Sequence, residues 1–151
     1  WDAYTVQQGK IIDKLASVKN CVVLTGDVHT SWAFEVVKSA GSACDVAGNC
    51  TPAAVEFVCP SITSPGIDDS TQARTLETGL QQANPHLKYV NLDRRGFAVM
   101  SISTTEFKYE WFHIDHAAHQ GPTDNSLTLV STATVAAKTG ADTGTSNLVM
   151  S

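Results

Sequence analysis

Apolar and polar positions change rhythm several times along this chain, and each change marks an element. Over residues 6–18 the apolar side chains Val6, Ile11, Ile12, Leu15, Ala16 and Val18 recur near helical spacing, with Lys10, Lys14 and Lys19 on the wet side. That pattern predicts an amphipathic helix. Residues 21–25, Cys-Val-Val-Leu-Thr, follow as an unbroken apolar run, which predicts a buried strand. Helix and strand together make the first half of an α/β unit. Residues 32–37 predict a second strand and residues 54–58 a third, separated by a stretch at 39–51 rich in Gly, Ser, Asn and Asp that reads as a surface loop. The prolines and glycine of residues 60–66 make an irregular segment just past a strand, a candidate wall of a site.

The second half begins with Ser70 as a helix cap. Ala73, Leu76, Leu80 and Ala83 then recur at three and four residues, and Asn84-Pro85 stops the helix. Residues 87–92 and 97–102 carry strand patterns joined by Asp93-Arg94-Arg95-Gly96, and they read as a hairpin. Phe107, Tyr109 and Trp111 fall on one face of the next strand, giving a meander with the helices segregated before it. Beyond His116 the composition turns to Ser, Thr, Ala and Gly. Residues 127–130 and 135–137 predict one more strand or a docked arm, and residues 138–151, poor in large apolar side chains, predict a mobile tail. The fold class is α+β, with α/β character at the start.

Composition narrows the partners more than the fold. A chain of 151 residues with 42% hydrophobic content buries one ordinary core. Ten basic against fifteen acidic residues give a net charge of −5 with no long run of either sign, which argues against a nucleic-acid-binding surface and against an anionic membrane surface. No apolar segment approaches the roughly 20 residues of a membrane span, and the opening residues lack the basic start and apolar stretch of a signal peptide. Trp1-Asp2-Ala3-Tyr4 puts an aromatic pair where a polar leader is usual, so the chain reads as a fragment whose amino-terminal part is missing. Cys44 and Cys50 flank Asp-Val-Ala-Gly-Asn and could close that loop as a local disulfide, implying an oxidising location; metal binding is the alternative for the pair. Cys21 and Cys59 read as small buried hydrophobes.

The chemistry-bearing stretch is Gly26-Asp27-Val28-His29, at the end of the first strand. A hard oxygen ligand and an imidazole two residues apart at a strand's carboxyl end are placed to share a metal-bearing crevice. The plainer reading is a turn aspartate beside an ordinary hydrogen-bonded histidine. His86, in Asn84-Pro85-His86, could touch a metal, a phosphate oxygen or a leaving group, or could merely cap the preceding helix. Arg94 and Arg95 offer forked donors suited to phosphate, or could pair with a neighbour such as Asp93. His113, His116 and His119, with Asp115, have a spacing that suits a helix, yet His113 ends a strand pattern, so one short segment cannot easily present all three to one ion.

Five ordered blocks then change the weight of that tetrapeptide: WDAY, VVLTGDVHTSW, VEFVCPSITSPG, NPHLKYVNLDRRGF and EFKYEWF. In this order they resemble the carboxyl-terminal half of the PhoD-like alkaline phosphatases, a branch of the metallophosphoesterases. The resemblance spans residues 1–115 and makes residues 1–137 the second half of such a domain. It implies a four-layer αββα sandwich with two mixed sheets, hydrolysis of phosphate monoesters and often diesters, calcium together with iron, and secretion to the extracellular or periplasmic space. It makes Asp27 and His29 metal ligands, with the remaining ligands supplied by the missing amino-terminal half. His86 becomes a candidate acid for the leaving group, and Arg94 and Arg95 become candidate phosphate contacts. Asp2 and Tyr4 either position substrate or, with Trp1, clasp the two halves together. Ala3, Cys59, Asn91 and Phe97 depart from common family residues, which bears on substrate preference more than on chemistry. The rival is a relative of the same fold that binds phosphate or calcium without turnover.

Overall fold

The computed structural model describes residues 3–37, 51–114 and 127–151. Trp1, Asp2, the Cys44–Cys50 pair, Asp115, His116 and His119 lie outside the described residues.

Among the described residues, two helices and eight strands follow in order: α1 (Thr5–Ala16), β1 (Val22–Thr25), β2 (Ser31–Val36), β3 (Ala54–Val58), α2 (Ser70–Ala83), β4 (Leu87–Asn91), β5 (Gly96–Ile102), β6 (Glu106–Ile114), β7 (Leu127–Ala136) and β8 (Leu148–Met150). They form two four-stranded sheets, β1-β3-β2-β4 and β5-β6-β7-β8. In the first, β1 runs parallel to β3 while β2 is antiparallel to both β3 and β4, so the sheet is mixed. The second is an antiparallel meander in which residues 97–102 and 106–114 are neighbours, as expected, while residues 87–92 are not part of it. The architecture is mixed α+β.

Alternation builds the core. Ser31, Ala33 and Glu35 of β2 turn one way and are buried, while Trp32 and Phe34 turn the other way, toward α2. Ala33, Val55 and Phe57 of the first sheet meet Phe107, Tyr109, Trp111, Ala133, Val135 and Leu148 of the second. Phe57 stacks on Tyr109 at 4.7 Å between ring centroids, and fully buried Trp111 donates its indole N–H to the Val58 carbonyl at 3.2 Å. On the other face of the first sheet, Ala73 of α2 packs with Leu87, Val90 and Leu92.

Several expectations change. Residues 87–92 and 97–102 are not a hairpin, because β4 belongs to the first sheet and β5 to the second. The connection crosses between sheets at Gly96, where an added Cβ would sit 1.9 Å from the Phe112 carbonyl oxygen, so only glycine lets the backbones approach this closely. Asp69, not Ser70, caps α2, accepting from the Thr71 and Gln72 amides at 2.8 and 3.0 Å. The buried positions of that helix are Ala73 and Glu77, while Leu76 is exposed.

β1 departs most from its pattern, since it is an edge strand whose last two residues are exposed. Residues 138–151, whose composition predicts mobility, include β8, hydrogen-bonded to β7, and fully buried Thr145. Hydrogen bonds do there what bulk apolarity does elsewhere: Glu35 accepts from Asn147 and from the Leu148 amide at 3.0 and 2.9 Å.

Candidate active site

Strands β1, β3 and β4 point the same way, so their carboxyl ends open onto one rim together with the start of β2. That rim carries residues 26–30, 59–69 and 91–95. Crevices at the carboxyl ends of strands are where such sheets present binding groups, because the loops there vary without disturbing the core.

Asp27 and His29 stand on this rim, exposed, each with a left-handed backbone at φ 74° and 60°. Asp and His tolerate that region better than most residues, yet each such residue still costs about 1 kcal/mol. Two within three residues persist only because the surroundings hold them. The Val28 amide donates to the Gly26 carbonyl at 3.0 Å, and the Thr30 hydroxyl donates to the Val28 carbonyl at 3.3 Å. Trp32 fixes that hydroxyl with its indole N–H at 2.6 Å. The turn is therefore clamped from β2. Gly66 packs against the same place, with room for no Cβ: one would meet the Leu92 carbonyl oxygen at 2.2 Å and the Thr30 methyl at 3.3 Å.

A carboxylate and an imidazole held outward on one short turn are a donor set for a cation. Among the described residues no group of three or more His, Cys, Asp and Glu side chains is arranged to hold a metal, so Asp27 and His29 fit such an ion only as two donors of a larger set.

The other sequence-derived candidates are dispersed. His86 precedes β4, its carbonyl accepting from Glu35 and its ring against Phe34 at 6.1 Å. Asn91, at the rim, lies five residues on, roughly 15 Å away along the strand. The structure thus does not bring His86 to the end that carries Asp27 and His29. Tyr4 is exposed at the amino-terminal end of α1. Arg95 donates to the Ser64 carbonyl at 3.2 Å and lies 3.9 Å from Asp68, so it ties the 60–66 segment to the rim. Arg94 lies 3.8 Å from Asp93 and lines an open hollow with Arg74, Tyr89, Asn91 and His113.

Arg74, which lines that hollow, and its partner Glu77 are the groups the sequence reading missed. Arg74 bonds both Glu77, at 2.6 Å, and Asp93, and Glu77 also accepts from the Leu92 amide at 2.7 Å. Burial pushes the Asp93 carboxyl up, but hydrogen bonds from Arg74 and Ser70 together with the charges of Arg74 and Arg94 outweigh it and hold the group below its ordinary range. Burial also holds His113 down to about 4, reinforced by Arg94, and its Nε2 lies 3.0 Å from the Ser31 hydroxyl. The signal available for Glu77 was its spacing: four residues after Ala73, it falls on the stripe that faces the sheet.

No helix among the described residues is long and apolar enough to cross a membrane. The model of the PhoD-like phosphatase family matches residues 1–111. The chain is also similar to alkaline phosphatase D of Bacillus subtilis (strain 168), at 33% identity over 114 residues that cover 74% of this chain and 18% of that protein. It therefore spans about a fifth of the length of the curated relative it matches. No solved structure matches it. The ordered motifs, the rim that carries Gly26-Asp27-Val28-His29 and the family match agree, and the chain belongs to the PhoD-like phosphatase family.

Proposed function

We propose that residues 1–137 are the carboxyl-terminal half of a secreted, metal-dependent phosphoesterase domain, built as a four-layer sandwich and completed by an amino-terminal half. The observation that carries this is the clamped turn: Asp27 and His29, both left-handed and both exposed, at the rim of a phosphatase-family chain. Family membership supports hydrolysis of a phosphate ester. Secretion rests on the family resemblance, and on the Cys44–Cys50 disulfide proposed from spacing.

Asp27 and His29 would hold part of the metal centre, for which calcium together with iron is the proposed composition. Bound there, cations neutralise phosphate charge and polarise the phosphoryl oxygen. The chain's own residues supply position. Trp32 and Thr30 keep the two donors outward, so no reorganisation is needed when substrate arrives. Arg95 holds the 60–66 segment against the rim as a wall, and Arg94 remains the arginine proposed for phosphate contact. His86 is left out of the proposed chemistry because it lies at the other end of β4.

Asp27→Ala in the complete protein is expected to abolish hydrolysis of p-nitrophenyl phosphate and lower the bound metal measured by elemental analysis. Near-normal turnover with metal still bound would overturn the reading.

A further inference from the structure

The row of inward-facing side chains on β6 runs Phe107, Tyr109, Trp111 and then His113, all buried, so three aromatic rings of the core are followed by an imidazole as the strand reaches the rim. Across from it, the inward row of β2 runs Glu35, Ala33 and then Ser31, fully buried where the strand begins. The core between the sheets therefore ends, at the rim, on a hydroxyl and a ring nitrogen 3.0 Å apart. Two apolar side chains would fill that place, whereas a buried hydroxyl and imidazole cost desolvation that their mutual bond offsets. A buried polar pair satisfied in this way fixes one geometry where an apolar pair tolerates several.

Ser31 is also the first strand residue after the donor turn. His29 lies two positions before it, and Thr30, between them, donates to the Val28 carbonyl. The turn joins the sheet at two places, and they differ. On the β1 side the strand is an edge whose last two residues, Leu24 and Thr25, are exposed, and Gly26 follows with open space where a Cβ would be. On the β2 side Ser31 is buried, paired with Asn91 of β4 and bonded to His113 of the second sheet. Position is thus set from β2. Burial keeps the imidazole neutral, so the ring brings no positive charge toward the donors and meets Ser31 with one donor and one acceptor nitrogen.

We propose that His113 is a positioning residue for the donor turn, acting through its hydrogen bond to Ser31 to hold Asp27 and His29 at a fixed place relative to the second sheet. The proposal rests on the reading of those two residues as metal donors and adds the strut that holds them. In this role His113 touches neither metal nor substrate. Loss of the strut leaves the turn attached through Thr30, Trp32 and an exposed edge strand, so the two donors spread over more positions and the fraction arranged for an ion falls. The histidine that the sequence sets beside His116 and His119 thus acts through a serine of the facing sheet.

Kinetics and calcium binding of the complete protein, measured well below its melting transition, test this. Ser31→Ala and His113→Phe should each lower kcat for p-nitrophenyl phosphate about tenfold or more, and weaken the binding of calcium titrated into chelator-stripped protein by a similar factor. His113→Gln, whose amide can keep a bond to Ser31, should recover most of the loss. Ser31→Ala combined with His113→Phe should be no worse than His113→Phe, because both remove one bond. Phe107→Leu, deeper in the same core, should lower the melting temperature while leaving kcat and calcium affinity unchanged. Normal kcat and calcium affinity in Ser31→Ala and His113→Phe, with Asp27→Ala inactive, would overturn the proposal and leave the phosphatase reading standing. Losses of kcat that follow melting temperature in every variant, Phe107→Leu included, would also overturn it, since they would mark a general loosening of the core. Full turnover by Asp27→Ala would overturn the reading on which the proposal rests, and the proposal with it.

Discussion

The two flanks of the sandwich are built from similar material and finished differently. At β8, inward-facing Leu148 is 8% exposed, and its neighbouring segment is tied to Glu35. At β1 and β5, inward-facing Leu24, Met100 and Ile102 are half exposed or more. Val22-Val23-Leu24 and Leu148-Val149-Met150 are equally apolar, so pattern alone does not tell a covered edge from an open one. What differs, among the described residues, is whether another element of the chain returns to cover the edge.

The largest expected effect lies between the flanks. Trp111 is fully buried, packed on Phe57 and Tyr89 and bonded to Val58, so Trp111→Ala should cost about 4 kcal/mol in denaturant unfolding. A loss of less than about 1 kcal/mol would mean that the two sheets are not one core.

Next comes the buried imidazole near the β4 side. His113 is held neutral in the folded state down to about pH 4 and titrates near 6.5 when unfolded. Between those values the unfolded chain binds a proton that the folded chain does not. Stability should therefore fall as pH drops from about 6.5 to about 4, by up to about 3 kcal/mol from this group. In His113→Gln the slope over that window should be shallower, and an unchanged slope would contradict the assignment.

A matched pair gives the smallest and sharpest test. Leu148→Ala should cost about 2 kcal/mol, and Leu24→Ala about 0.5 kcal/mol in residues 1–151 alone, rising to about 2 kcal/mol in the complete protein. Equal costs for Leu24→Ala in both chains would erase the distinction between the flanks.

Local rules made much of this legible. The β3 boundaries, the α2 stop at Asn84-Pro85 and the aromatic face of β6 follow from periodicity and turn chemistry. Sheet membership did not, because Asp93-Arg94-Arg95-Gly96 looks the same whether the chain reverses within a sheet or crosses between two. Residues 138–151 are poor in large apolar side chains, and Thr145 and Asn147 make hydrogen bonds there that hydrophobicity does not register. For the site, Gly26-Asp27-Val28-His29 was visible as a motif, but its left-handed backbone and its clamp by Thr30 and Trp32 required tertiary structure. His86 could not be placed from sequence, because which end of β4 it occupies relative to Asp27 depends on strand direction.

The most direct test of the account is phosphatase turnover by residues 1–151 alone and after addition of the amino-terminal remainder. It predicts no hydrolysis of p-nitrophenyl phosphate by residues 1–151 and activity restored on mixing. Turnover by residues 1–151 alone would contradict it.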